Sequence, residues 1–307
     1  MTLQELQNAQ ASPLQRLYDE RWEERDVALW IKRDDLLAPA PNDPLCGNKW
    51  RKLQVNLLHA KTRGFEQLLT FGGAFSNHLA AVASAGRHFG FKTIGVVRGE
   101  PVDNPTLARA QADGMRLHFV DRTTYRNKTA PSFLQSLYKE YGPAYVLPEG
   151  GTNAAAFTGC TNLANEILTQ SPTAPTYIAV ACGTGGTATG LIQGMAGKST
   201  LIGVSVLKGN FMQSTIQSLL AERPSSPTPW EVHESYHHGG YAKRSRPLNE
   251  FIQWFYQEHE IVLDPIYTGK LFYALYDLLE RGYFSNGNSV VGIHTGGLQA
   301  FASSLPG

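Results

Sequence analysis

The chain has 307 residues, 42% hydrophobic and 17% charged, with 27 basic against 26 acidic side chains. That length and apolar content support one large or two medium domains and exclude a disordered chain. A net charge near +1 removes the electrostatic basis for a nucleic-acid partner or an anionic membrane surface, and no run approaches 18 apolar residues, so no membrane span is expected.

In chain order, short apolar runs predict strands at "ALWI" (28–31), "QLLTF" (67–71), "TIGVV" (93–97), "RLHFV" (116–120), "AYVL" (144–147), "YIAVA" (177–181), "LIGVSV" (201–206) and "VVGIH" (290–294). Helical patterns lie between them, over 50–62, 77–89, 132–141, 154–169, 187–195, 247–258 and 269–281. The strand runs are β-branched and apolar on both faces, which predicts parallel strands covered on both sides. The alternation reads as an open α/β architecture. "ERPSSPTP" (222–229) is the most loop-like stretch and reads as a surface excursion. Cys46, Cys160 and Cys182 have neither disulfide-framework nor zinc spacing, and "MTLQELQNAQ" has no signal-peptide core. No metal-ligand cluster is apparent, and a reducing cytoplasm is the expected location.

Five stretches carry chemistry. In "LCGNKWRKL" (45–53), Lys49 follows a Gly-Asn pair where a loop turns into a helix. In "LLTFGGAFSNHLAAVASAGRHFG" (68–90), two glycines turn the chain, and Ser76, Asn77 and His78 open an alanine-rich helix. Ser76 alone could be an ordinary helix cap. Yet three polar side chains at the carboxyl end of a strand stand where open α/β sheets bind ligands. In "YIAVACGTGGTATGLIQG" (177–194), a strand runs into Gly183, Thr184, Gly185, Gly186 and Thr187, and a helix follows. Close backbone approach and a helix N-terminus make this an anion site, with Thr184, Thr187 and Thr189 as hydroxyl donors. No Lys-Ser/Thr pair follows the glycines, so it is not a Walker A loop. Gly183, Gly185 and Ala188 fit a relaxed dinucleotide pattern, but the next strand lacks the acidic residue that pattern expects. "LDPIYTGKLFYAL" (263–275) offers Tyr267, and "VVGIHTGGLQAFA" (290–302) offers Thr295. Taken singly, a packed aromatic and a helix cap explain these two. Together, a positioned lysine and a phosphate loop without Mg²⁺ ligands or a G-x-S-x-G elbow point to pyridoxal phosphate, linked through a lysine.

The residues resemble the D-cysteine desulfhydrase and 1-aminocyclopropane-1-carboxylate (ACC) deaminase family. The resemblance runs through "SPLQRL" (12–17), "WIKRDDL" (30–36), "GNKWRKL" (47–53), "GGAFSNHLAAVA" (72–83), "LPEGGTN" (147–153), "CGTGGTATG" (182–190), "LDPIYTGK" (263–270) and "HTGG" (294–297). It implies fold type II of the pyridoxal-phosphate enzymes, the tryptophan-synthase-β-like fold. It implies two open α/β domains with largely parallel sheets. The smaller would span 50–145, inserted into a larger one formed by 1–49 and 146–307.

It further implies that Lys49 carries the cofactor, with Lys52 the neighbouring alternative. Asn77 would bond the cofactor's phenolic oxygen, the 183–187 loop would cradle its phosphate, and Thr295 would face its pyridine nitrogen. Ser76 and His78 would lie beside the substrate, flanked by Tyr267 and Tyr241. Ser76, Tyr267 and Tyr241 join Lys49 as the expected catalytic residues. Homodimers are usual in such a family. ACC deaminases carry Glu where this chain has Thr268, Leu where it has Thr295, and tend to have Gln where it has His78. A neutral Thr295 beside the pyridine nitrogen makes a weaker electron sink, which suits prompt loss of a good leaving group. A thiolate is one, with a thiol pKa of about 8.5. The implied activity is β-elimination of D-cysteine to sulfide, pyruvate and ammonia. The alternatives are ACC deamination and lysis of another small amino acid. The stretch 223–243 departs from longer members of the family.

Overall fold

A strand with aliphatic residues at every position must be covered on both faces, and β7 (Tyr177–Cys182) is packed that way. Its Ile178 and Val180 face one apolar cluster, with Leu191 and Ile192, while Ala179 and Ala181 face another, with Leu271 and Phe272. The computed structural model describes residues 11–40, 42–222 and 227–298. Its strands form two sheets. Around β7 lie β1 (Leu14–Leu17), β2 (Ala28–Lys32), β8 (Thr200–Ser205), β9 (Trp230–His233) and β10 (Ser289–Ile293), in the order β1-β2-β10-β7-β8-β9. Only β1 runs antiparallel to its neighbour. The second sheet is wholly parallel, in the order β5 (Met115–Val120), β4 (Lys92–Arg98), β3 (Gln67–Gly73), β6 (Tyr145–Leu147). Along the chain it spans Gln67 to Leu147.

Helices close both layers. α2 (Gly47–Thr62) and α3 (Asn77–Phe89) cover one face of the smaller sheet through Leu53, Leu57, Leu79 and Val82. α5 (Arg122–Arg126) and α6 (Pro131–Tyr141) cover the other through Tyr125 and Leu137. α7 (Ala154–Gln170) and α8 (Gly186–Met195) pack on one side of the larger sheet. α10 (Arg246–His259) and α11 (Thr268–Glu280) pack on the opposite side. Each fully buried Leu, Ile, Val or Phe in these layers contributes about 1.5–3 kcal/mol. The remaining helices are α1 (Glu20–Glu23), α4 (Pro105–Ala112) and α9 (Met212–Ala221).

All eight predicted strands are present within a residue or two. The two unpredicted strands, β1 and β9, are edge strands with half-exposed residues, so their sequences lack the apolar run of a central strand. Of the loop-like stretch 222–229, residues 223–226 lie outside the described residues. Thr228 is not a surface residue: it is buried, donates to the Ile192 carbonyl at 2.9 Å and accepts from Gly197 N–H at 3.0 Å. No helix among the described residues is long and apolar enough to cross a membrane.

Candidate active site

Parallel strands place their carboxyl ends together, and the loops that leave β3, β7 and β10 meet there. They enclose a cavity of about 440 Å³, within the usual range for a small-molecule site.

The start of α2 forms its floor. Gly47 N–H donates to the Leu37 carbonyl at 2.8 Å, and Asn48 N–H to the Thr295 carbonyl at 3.1 Å. Gly47 has φ +53°, and a Cβ there would sit 2.4 Å from the Thr295 oxygen, so only glycine fits this contact. The Asn48 side chain accepts from the Thr187 hydroxyl at 2.7 Å. This stretch thus joins the loop after β10 to the loop after β7 and fixes Lys49 on the first helical turn. The helix begins three residues before the predicted 50–62, and Lys49 is helical. Burial draws its ammonium pKa down to about 8, so a fraction is free amine near neutral pH.

Lys52 lies one helical turn on and also lines the cavity. Its Nζ donates to the Gly150 carbonyl at 2.7 Å and the Thr152 hydroxyl at 2.9 Å. A Cβ on Gly186 would lie 3.2 Å from it. Burial, and then the charge of Lys49, pull Lys52 down to about 7.

The loop before α8 supplies Gly183, Thr184, Gly185, Gly186 and Thr187, all lining the cavity. Gly185 adopts φ +76° as the N-cap, which turns the following N–H groups of α8 inward. Thr189 does not join them: it is fully buried and donates to the Gly185 carbonyl at 3.0 Å. A hydroxyl one helical turn in from the cap satisfies its own backbone instead of facing the cavity.

Ser76 caps α3, accepting from Leu79 N–H, and also lines the cavity. Capping and site placement coincide there. Asn77 is buried behind it, with Nδ2 near Gly297 on the loop after β10. His78 Nε2 hydrogen-bonds the Thr70 hydroxyl at 2.9 Å. Burial, with Lys49 and Lys52 nearby, holds its imidazole well below the usual pKa, so it is neutral. Thr295 also lines the cavity.

Tyr267 is placed by Asp264, whose carboxylate accepts from the N–H groups of Ile266, Tyr267 and Thr268 at 2.8–2.9 Å. Its ring meets that of Tyr241 edge-on at 6.1 Å. Burial, and then Tyr241, hold the Tyr267 hydroxyl pKa well above normal, so it keeps its proton. Thr268 is not at the site. It is fully buried, absent from the lining, and donates to the Asp264 carboxylate at 2.7 Å. The position at which ACC deaminases carry Glu is thus turned into its own helix cap in this chain.

Arg98, at the end of β4, and Glu149, neither singled out in the sequence, also line the cavity. Glu149 pairs with Lys128 at 3.2 Å.

The profile of the family described as pyridoxal-phosphate dependent enzyme matches residues 6–296. The chain belongs to the pyridoxal-phosphate-dependent enzymes. It is 32% identical over 280 residues to a putative 1-aminocyclopropane-1-carboxylate deaminase of Pyrococcus horikoshii, covering 88% of this chain and 84% of that protein. It is 29% identical over 294 residues to the bifunctional D-cysteine desulfhydrase/1-aminocyclopropane-1-carboxylate deaminase, mitochondrial, of Arabidopsis thaliana, covering 88% of this chain and 72% of that protein. Among solved structures, an ACC deaminase homologue superposes with TM-score 0.81 at 29% identity, covering 95% of this chain and 90% of that one. This pyridoxal-phosphate enzyme is thus a fold type II lyase of the ACC deaminase and D-cysteine desulfhydrase family.

The residues present fit the cofactor. A buried amine of lowered pKa suits a covalent link to an aldehyde. A glycine turn, a helix N-terminus and a second buried lysine suit a phosphate. Lys52 is the residue that sequence reasoning set aside as a mere alternative to Lys49. The spacing i, i+3 held the signal, since it puts both amines on one helix face.

Proposed function

We propose that this enzyme eliminates the β-substituent of a small D-amino acid, with D-cysteine as the reference substrate. The overall reaction converts D-cysteine and water into hydrogen sulfide, pyruvate and ammonium. Bound pyridoxal phosphate supplies the electron sink that acidifies the substrate Cα–H. In this reading Lys49 Nζ would make the covalent link, and Lys52 Nζ with the N–H groups of 185–187 would hold the phosphate. Asn77 and Thr295, both lining the cavity, would hold and orient the ring, Thr295 contributing a neutral hydroxyl. Ser76 and the neutral His78 flank the substrate carboxylate. The Tyr267 hydroxyl, still protonated and paired with Tyr241, is placed to donate a proton to a departing thiolate. The cofactor would sit between the two sheets, each the centre of one domain, and a homodimer is the expected assembly.

One observation carries the choice of reaction. Among the described residues the lining includes a single carboxylate, Glu149, which is paired with Lys128. A neutral hydroxyl in place of an acid would make the bound cofactor a weaker electron sink, which would suit loss of a good leaving group better than the opening of a carbocycle. The names of the relatives favour the second reading, ACC deamination, and the burial of Thr268 removes one of the three differences that argued against it. Product analysis separates them. Pyruvate and sulfide from D-cysteine, with no 2-oxobutanoate from ACC, supports the proposal. 2-Oxobutanoate from ACC with D-cysteine inert overturns it. L-Cysteine, D-serine and β-chloro-D-alanine complete the panel.

A further inference from the structure

Lys270 is fully buried on the first turn of α11, yet among the described residues no carboxylate hydrogen-bonds its ammonium. Three backbone carbonyls do. Nζ donates to His237 at 2.8 Å and Gly240 at 2.9 Å, and lies 3.5 Å from the Val206 oxygen. The first two belong to a turn of unusual backbone. His238 and Ala242 have positive φ (48° and 56°), as do Gly239 and Gly240 (96° and 118°). Left-handed non-glycine residues persist only when their surroundings fix them. The turn's own bonds, Gly240 N–H to the His237 carbonyl and Lys243 N–H to the Gly240 carbonyl, use the same two oxygens that meet Lys270. The turn is therefore wound around the ammonium. The next residue is Tyr241, whose ring stands 6.1 Å from that of Tyr267 at the cavity.

We propose that Lys270 is an internal cation that holds the 237–240 turn against the active site, and that it is thereby the positioning residue for Tyr241. The inference rests on reading Tyr241 as a substrate neighbour. Burial draws the Lys270 pKa down to about 8, partly offset by Asp264, which still leaves an ammonium at neutral pH. The cage has a second consequence. Carbonyl oxygens bind small hard cations, so truncating the side chain converts a lysine head group into a vacant site for ammonium or potassium.

The test uses holoenzyme of Lys270→Ala and Lys270→Met. Limited trypsin cleavage at Lys243 and Arg244 reports the turn without any substrate. Cleavage of Lys270→Ala in a buffer free of small cations should be at least about tenfold faster than wild type, the effect of losing one charge-assisted hydrogen bond. Ammonium or potassium chloride should restore it, and tetramethylammonium, too large for the cage, should not. Lys270→Met fills the space, so it should be cleaved as fast and gain nothing from either salt. On whichever compound of the panel wild type turns over, both variants should keep the cofactor's visible band and raise KM more than they lower kcat, with rescue for Lys270→Ala alone. Wild-type cleavage in both variants overturns the proposal, as does cleavage that responds equally to every salt. If Lys270→Ala does not fold, the cleavage and KM results of Lys270→Met decide. A failed substrate panel leaves the cleavage result standing, so the two readings fail separately.

Discussion

Replacing Lys52 with methionine tests whether this buried amine, and not only the glycine loop, holds the phosphate. Methionine keeps most of the volume and removes the donor. The amine already bonds Gly150 and Thr152, so its third hydrogen is the one free for a ligand. A charge-assisted hydrogen bond contributes about 1.5–3 kcal/mol, or about 10- to 150-fold in affinity. The ammonium pKa of about 7 adds a sign. At pH 7 about half the amines carry the charge, so protonation costs only about twofold. At higher pH the unbound amine is neutral while the bound phosphate still demands the ammonium. Wild-type affinity should therefore weaken as pH rises above 7, approaching tenfold per unit, whereas Lys52→Met should keep only the shallower dependence that Lys49, titrating near 8, imposes. Titrating cofactor-free protein with pyridoxine 5′-phosphate, which lacks the aldehyde, isolates the phosphate from Lys49. Pyridoxine serves as the control without phosphate. Equal affinity of wild type and variant for the phosphate ester, or an equal loss with pyridoxine, would refute the assignment.

Lys49→Ala should fold normally yet lose the borohydride-sensitive visible band and all product release; if the band survives in this variant and disappears in Lys52→Met, the roles are reversed. Arg51→Met should lower stability by about 3–5 kcal/mol in urea unfolding, because it leaves Asp34 buried without the guanidinium that meets it at 2.9 Å. Adding Asp34→Asn should recover part of that loss, and a variant as stable as wild type contradicts the account. Burial would raise the Asp19 pKa, but bonds from His259, Arg21 and Tyr276 outweigh it and hold the carboxyl below its usual value. The depressed value means its stabilisation is complete above the ordinary carboxyl pKa near 3.8 and is lost as pH falls through the folded value. Asp19→Asn should accordingly flatten the acid limb of the stability curve. Thr268→Glu should destabilise the fold by about 1–3 kcal/mol, by overpacking a carboxylate against Asp264. A stable variant with new ACC turnover would show that the side chain reaches the cofactor after all.

The strands at the centre of each sheet were legible because burial on both faces forces aliphatic residues into unbroken runs, as in "YIAVAC" and "LIGVS". The edge strands β1 and β9 were not, because "LQRL" and "WEVH" need satisfy only one neighbour. The polar clusters of the site were visible as glycine turns at strand ends, since parallel topology sends those ends to one place. Direction was harder. Thr187 and Thr189 differ by two positions on one helix. The first reaches Asn48 across the site and the second bonds its own backbone. Thr268 follows the same logic: four residues after Asp264, it closes the cap that Asp264 opens.

These details alter what the chain can say about its substrate. Residue type at a motif position predicts chemistry only if the side chain faces the ligand, and Thr268 does not. The argument for elimination then stands on Thr295 and on the charge of the pocket as a whole. That pocket favours anions through a Lys49 that is mostly charged and a Lys52 that is about half charged near neutral pH. Two lysines with lowered pKa values, a neutral histidine and a helix N-terminus cost less to bury than two full ammoniums would. An arriving phosphate or carboxylate supplies the counter-charge that lets Lys52 take up its proton. The same economy explains Lys270, where carbonyl dipoles replace a carboxylate around the ammonium. A carboxylate there would place a second acid near Asp264, beside the tyrosine pair whose protons the proposed chemistry requires.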